Sequence, residues 1–308
     1  MVWRGRNGSC RGATSRMKSY PFAAARIFDV PLAIHPSKGQ VIAKALASRF
    51  GIGDVSFAGD APVIVKPMAY DEWDDGSSEA YEETPYDLSQ GVAIIDVSGT
   101  LVQKSSNLRP YSGMLGYNAI RYNFLTALND DQVKAIVLSV DSPGGEVAGC
   151  FDLADLIYSS RSIKPTLAIL SECAYSAAYA LASACEQITV PRTGGTGSVG
   201  VICMHIDQSK AIDKAGVAVT IIKYGDRKAD GNQFSPLSKE ALDRFQADVD
   251  EMGELFVATV ARNRNMPVEV VRKTQATTFL GAAGVEIGFA DAVMAPDEAF
   301  ESLLAELG

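Results

Sequence analysis

Two histidines, His35 and His205, are the whole imidazole complement of this 308-residue chain. A Ser–His–Asp triad would need one of them, and His205, just after an apolar stretch, is the better placed. The plainer reading of His205 is a structural imidazole at a strand end. Neither histidine has a second one at metal-ligand spacing, so a metal site is poorly served. A hydrolytic base in this chain is therefore expected to be something other than histidine. Lysine can do the work when neutral. An exposed lysine, with a pKa of ~10.4, is almost wholly protonated at pH 7, but burial among apolar groups lowers that value by up to ~3–5 units. Lys228, in Gly225-Asp226-Arg227-Lys228-Ala229-Asp230-Gly231, lies just past a strongly apolar run. Taken alone, it reads as a surface-loop lysine.

A nucleophile needs a different setting. Ser176, in Ala174-Tyr175-Ser176-Ala177-Ala178-Tyr179-Ala180, stands where a strand is expected to hand over to a helix. The first turn of a helix carries unpaired N–H groups and the positive end of the macrodipole. Both stabilise a developing oxyanion. A helix N-cap serine is the commoner use of Ser at such a place. Gly144 and Gly145, in Asp141-Ser142-Pro143-Gly144-Gly145, make a turn after a buried strand, and glycine N–H groups there can face a cleft. The same fragment also fits an ordinary strand-to-helix turn.

The elements that must position these residues are legible as hydrophobic patterns. Val92–Val97, Ala135–Val140 and Thr166–Leu170 read as buried strands. Ile188–Val190, Val199–Cys203 and Val217–Ile222 read as further strands. Helices are expected over 114–129, from Glu146 to about Tyr158, from about Ser176 to Cys185, and over a long amphipathic stretch from Ser238 to about Asn265. Strands alternating with helices predict an α/β domain with a largely parallel sheet. No internal repeat is visible. The domain is expected over 91–308. It is preceded by a basic extension over 1–17, a small segment over 18–68 in which Ser37–Gln40 opens a helix, and an acidic linker over 69–90. Met17 is an alternative start, and a mitochondrial-type presequence is the weaker reading of the basic extension.

Bulk properties exclude some functions. A net charge of -9 and a pI near 4.9 disfavour nucleic acid as a partner, because phosphate binding needs concentrated Lys and Arg. The five cysteines, Cys10, Cys150, Cys173, Cys185 and Cys203, form no C-x-x-C pair and are odd in number. Buried reduced thiols in a cytoplasmic protein are expected. No apolar run approaches the ~18–20 residues that cross a bilayer, so no membrane is expected among its partners.

The order of the motifs is more specific than any one of them. Asp141–Gly145, then Ala174–Tyr179, then Thr196-Gly197-Ser198-Val199-Gly200-Val201, then Lys228 with Ser235-Pro236 beyond it, resembles the SppA family of serine peptidases over roughly residues 90–295. The resemblance implies a crotonase/Clp-protease-like fold with repeated β-α units. It implies Ser176 as nucleophile, Lys228 as base, and Ser198 as the serine that orients the lysine amine. Oxyanion donors would come from Gly144, Gly145 and Ala177, and no metal or cofactor would be needed. Pro31–Pro36, Met204–Ser209 and Gly225–Asn232 look like the head-maturation branch of tailed bacteriophages. That branch implies a homo-oligomer acting on protein or peptide substrates, scaffold and portal proteins among them, in the bacterial host cytoplasm or the procapsid. Its members often continue into a scaffold-like region past the point where this sequence stops. The alternatives are a bacterial cytoplasmic SppA-like peptidase, a non-catalytic capsid-assembly module, and acyl-CoA chemistry on the same fold.

Overall fold

Strands that read as continuous apolar runs must be covered on both faces. The computed structural model of the protein, which describes residues 30–36, 38, 41 and 85–308, shows how that is done. Its early elements are β1 (Leu32–Ile34), β2 (Asp87–Ser89), β3 (Val92–Ser98), β4 (Thr100–Val102), β5 (Met114–Gly116) and α1 (Tyr117–Asn129). The middle of the chain forms β6 (Ala135–Ser142), β7 (Gly144–Glu146), α2 (Cys150–Ser159), β8 (Thr166–Tyr175), α3 (Ala177–Ser183), β9 (Gln187–Val190) and β10 (Gly195–Gly197). The remainder forms α4 (Ser209–Lys214), a 3₁₀ turn at Asp226–Ala229, α5 (Lys239–Asn263), α6 (Val268–Lys273), β11 (Thr278–Leu280), α7 (Gly281–Glu286), β12 (Ala292–Val293) and α8 (Pro296–Leu307).

The large sheet runs β11-β10-β8-β6-β3-β2, with β9 beside the first half of β8 and β12 beside β9. β3, β6, β8 and β10 are parallel neighbours, and only β2 and β11 run against them. The side chains of β6 alternate between two apolar layers. Ile136, Leu138 and Val140 face the main core with α1 and α2 residues such as Phe124, Phe151 and Ile157. Ala135 and Val137 face the opposite layer, where Ala299 and Leu303 of α8 cover Val92, Leu167 and Ile169. A smaller sheet, β1-β7-β4-β5, stands beside the carboxyl ends of the large one.

Helix α3 is wholly buried, and its run of alanines is what lets it lie there. Its one large ring, Tyr179, stacks on Phe289 at 4.9 Å and donates its hydroxyl to the Phe289 carbonyl at 3.0 Å. Carbonyls at the far end of α3 are met by Arg161, whose guanidinium donates to Ala184 at 2.8 Å and Ser183 at 2.9 Å, and to Cys185. Burial depresses the pKa of this guanidinium, yet its donors serve the carbonyls where α3 ends.

Several sequence expectations are corrected. Val199–Cys203 is not a strand; it runs as irregular chain in which Ile202 bridges Leu32. Val217–Ile222 is not a strand either: it lies exposed, with Ile222 95% accessible. A strand needs a ladder partner as well as β-branched residues, and none is at hand there among the described residues. Residues 114–116 form β5 ahead of α1, and α2 starts at Cys150 because Gly144–Glu146 is drawn into the small sheet. The extension 1–17 and most of segments 18–68 and 69–90 lie outside the described residues, as does most of the helix expected from Ser37.

Candidate active site

Three neighbouring parallel strands end together. β6 reaches Ser142, paired with Ala174 of β8, and Gly197 of β10 pairs with Tyr175. Ser176 and Ser198 are each the next residue on, so the register sets them side by side at the carboxyl edge of the sheet. This edge is where open α/β sheets place their ligands.

Ser176 joins β8 to α3 with φ 54° and ψ −125°. Positive φ in a residue other than glycine costs on the order of 1–3 kcal/mol and persists only where its surroundings impose it. Here the Ser176 N–H donates to the Gly197 carbonyl at 2.8 Å, while its own carbonyl accepts from Ala180 N–H at 3.0 Å. The backbone is thus pinned on both sides of a sharp turn. The side chain is buried, and its Oγ lies 3.5 Å from the Gly200 carbonyl, at the outer limit of a hydrogen bond. Ala177 is the first residue of α3, so its N–H has no partner within the helix. Ser198 is buried at φ 56°, held by its N–H donating to the Thr277 carbonyl at 3.0 Å.

The glycines are required by space. A Cβ on Gly145 would lie 1.8 Å from the Leu101 carbonyl oxygen. One on Gly144, which sits at φ 96°, would lie 2.3 Å from the Ala33 carbonyl oxygen and 2.9 Å from the Ser176 Cβ. The turn is braced by Ser142, whose hydroxyl donates to the Gly99 carbonyl at 2.6 Å and accepts from Gly144 N–H at 3.2 Å. Nearby, burial and then the Asp141 carboxylate push the Cys173 thiol up to about 12.

Ser176, Ala177, Ser198, Gly144 and Gly145 are therefore brought into one place. Lys228 is not: it lies exposed on the Asp226–Ala229 turn, and its amine bonds neither serine. His205 is half-buried on the irregular chain that follows Ile202, not at the end of a strand. Ser142 sits inside the Asp141–Gly145 motif, but nothing in the sequence marks its bracing role. The pairing of β1 with β7, and the ring contact of His35 with Tyr175 at 5.1 Å, are likewise visible only in the structure. The Pro31–Pro36 motif marks the segment but not these contacts.

A serine on a strained strand-to-helix turn, beside helix-start and glycine N–H groups, is an arrangement fitted to acyl transfer. Comparison with known proteins narrows this. Residues 159–308 match the model of Peptidase family S49. It is 36% identical over 283 residues to capsid assembly protease C of Escherichia phage lambda, spanning 90% of this chain and 64% of that protein. It is also 36% identical over 297 residues to head-tail preconnector protein GP5 of Enterobacteria phage P21, spanning 95% of this chain and 58% of that one. A putative signal peptide peptidase SppA of Enterococcus faecium is 28% identical over 243 residues, 75% of this chain and 68% of the relative. The chain thus spans about three-fifths of the two phage proteins. Among solved structures, a point mutant of ClpP1 from Listeria monocytogenes aligns at TM-score 0.40 and 10% identity over 65% of this chain and 90% of that one. The family resemblance seen in the motif order is borne out. Among the described residues no helix is long and apolar enough to cross a membrane.

Proposed function

We propose that the chain is a serine endopeptidase of phage head maturation, with Ser176 as nucleophile and Lys228 as general base. The observation that carries this is the strained backbone of Ser176 at the strand-to-helix turn, inside the stretch that matches Peptidase family S49. In this mechanism neutral Lys228 takes the Ser176 proton as Oγ attacks a peptide carbonyl. The oxyanion is received by N–H groups of Ala177 and of the Gly144–Gly145 turn, and Ser198 orients the lysine amine. The protonated lysine then gives its proton to the leaving amine, and water releases the acyl group by the same route. Substrates are extended segments of scaffold or portal-type proteins, in keeping with the names of the phage relatives.

Lys228 has some way to travel in this reading. The arm that carries it exposes Val217, Val219, Ile221, Ile222, Tyr224 and Phe234. Burying that apolar surface against a neighbouring copy would bring the lysine to a serine and take it out of water together. The exposed position of Lys228 also favours one competing reading, a non-catalytic assembly module. A serine-reactive fluorophosphonate separates the two. Labelling at Ser176, with Ser176→Ala and Lys228→Arg both inactive on an unfolded protein, supports the peptidase, because a guanidinium cannot give up its proton. Folded protein that neither labels nor cleaves supports the module. Lys228→Arg with full activity removes the lysine from the mechanism.

A further inference from the structure

The small sheet contains a strand that the chemistry of Ser176 does not explain. β1 is bonded along both edges. On one side it runs antiparallel to β7, with Ala33 opposite Gly145 and Ile34 opposite Gly144. His35 N–H donates to the Pro143 carbonyl at 2.7 Å at the end of that ladder. On the other side Leu32 and Ile202 exchange both backbone hydrogen bonds, at 2.8 and 2.9 Å. β1 thus fills the slot between the glycine turn and the segment that leaves Ser198. The Ala33 carbonyl oxygen and the Ser176 Cβ both lie within 3 Å of one point, the position a Cβ on Gly144 would take. They are therefore no more than about 5 Å apart, and a peptide carbonyl stands beside the serine.

An extended peptide added to a sheet edge is bound by its main chain, with side-chain pockets supplying choice. β1 has that form. It ends the path β1-β7-β4-β5, so without it β7 would be an open edge. Leu32, Ala33 and Ile34 are at most 4% exposed, and the smallest of the three is the one next to Ser176. Pro31 and Pro36 bracket the strand and limit the ladder to this short stretch. The segment is joined to β2 by the intervening chain, so it occupies the slot as an intramolecular ligand. A free peptide therefore competes against a segment that is tethered to the slot.

We propose that Pro31–His35 is an internal occupant of the substrate strand. It keeps the place beside Ser176 filled, and a substrate enters by displacing it. The strand also states what the slot accepts: an extended segment with a small residue at the serine and branched aliphatic residues on either side. This rests on the reading of Ser176 as nucleophile.

The test uses the full chain and the rate of fluorophosphonate labelling at Ser176. Leu32→Pro removes the N–H that bonds Ile202 and should raise the rate about tenfold, equivalent to about 1.4 kcal/mol of closing free energy. A synthetic peptide, Pro-Leu-Ala-Ile-His-Pro, should slow it again. In the reverse direction, Leu32→Cys with Ile202→Cys places two thiols at an antiparallel hydrogen-bonded pair, about 5.5 Å between Cα atoms and within disulfide reach. Oxidation should suppress labelling and a reductant should restore it. Folded Leu32→Pro protein that labels at the wild-type rate, or a locked pair that labels as fast oxidised as reduced, overturns the occupant. Should Leu32→Pro fail to fold, the cysteine pair decides alone. Absence of labelling in every variant, locked or released, removes the Ser176 reading and the inference with it.

Discussion

At Ser176 the backbone carries a conformation that glycine would adopt more easily. Replacing the side chain separates strain from chemistry. Ser176→Ala keeps a Cβ at φ 54°, whereas Ser176→Gly removes it. Both should be inactive, but the glycine variant should unfold at a temperature higher by a few degrees than the alanine variant. That corresponds to about 1 kcal/mol, after the entropy that glycine loses on folding is set against the relieved strain. Calorimetry of the two variants checks this, and equal midpoints would mean that the strain is no larger than the entropy that glycine loses. The thiols offer a second residue-scale outcome. Burial lifts Cys150, Cys173 and Cys185 from 9.0 to about 12. The thiolate is the reactive form, so at pH 9 half-buried Cys173 should alkylate on the order of 500-fold more slowly than a free cysteine. Raised folded values also set a sign for stability. It is fully present below pH 9 and should fall as pH rises from 9 towards 12, because the unfolded thiols ionise first. Alkylation in native and denatured protein, read by mass spectrometry, together with alkaline unfolding curves, tests both points. Of the candidate site residues, Ser176, Gly144 and Gly145 stood out because their types suit a helix start and a tight turn, while Ala177 came only from the resemblance in motif order. The positive φ at Ser176 and Ser198 was not legible, since serine carries no sign of it in a sequence.

Among the elements, α3 anchors the Ser176 turn from its far end. Arg161 is the cap, with its guanidinium also reaching the Asn263 carbonyl at 3.2 Å and so tying α3 to α5. Charged hydrogen bonds to buried carbonyls contribute about 1.5–3 kcal/mol each, and removing the donor leaves the acceptors unmet. Arg161→Met should therefore cost about 3 kcal/mol and lower the melting temperature by roughly 6–12 °C, with Ser176 labelling slowed where the protein stays folded. An unchanged melting temperature would show that water serves those carbonyls equally well. β3, β6, β8 and β9 of the large sheet were readable because burial forces continuous apolar runs, whereas the short β2, β10, β11 and β12 carry no such run. Val217–Ile222 has the same composition without the same outcome. β-branched residues state only that a surface is to be covered, and they do not say whether the cover comes from the sheet or from elsewhere.

At the scale of the whole molecule, two stretches of exposed apolar surface stand out among the described residues. One is the Val217–Phe234 arm, and the other is the leading two-thirds of α5, where Leu242 and Leu255 are half exposed. The amphipathic pattern of α5 was visible in the sequence, but it is mainly the last third, from Phe256 onward, that is buried in the chain's own core. We expect a homo-oligomer larger than a dimer, with these surfaces covered by neighbouring copies. Light scattering across a concentration series, paired with cleavage rates, tests this. A monomer that cleaves at full rate at every dilution would show that Lys228 needs no neighbour. The net charge of -9 keeps such copies apart at low salt, so assembly should strengthen as salt screens them.

Helix α8 covers Val92, Ala135, Val137, Leu167 and Ile169 on one face of the large sheet, yet all of these residues precede it in the chain. During synthesis, Val92, Val137, Leu167 and Ile169 wait uncovered on a nascent sheet until residues 296–307 have left the ribosome. Closure of this part of the core therefore waits on α8. A ribosome that stalls before α8 would release a half-dressed sheet, open to capture by a chaperone.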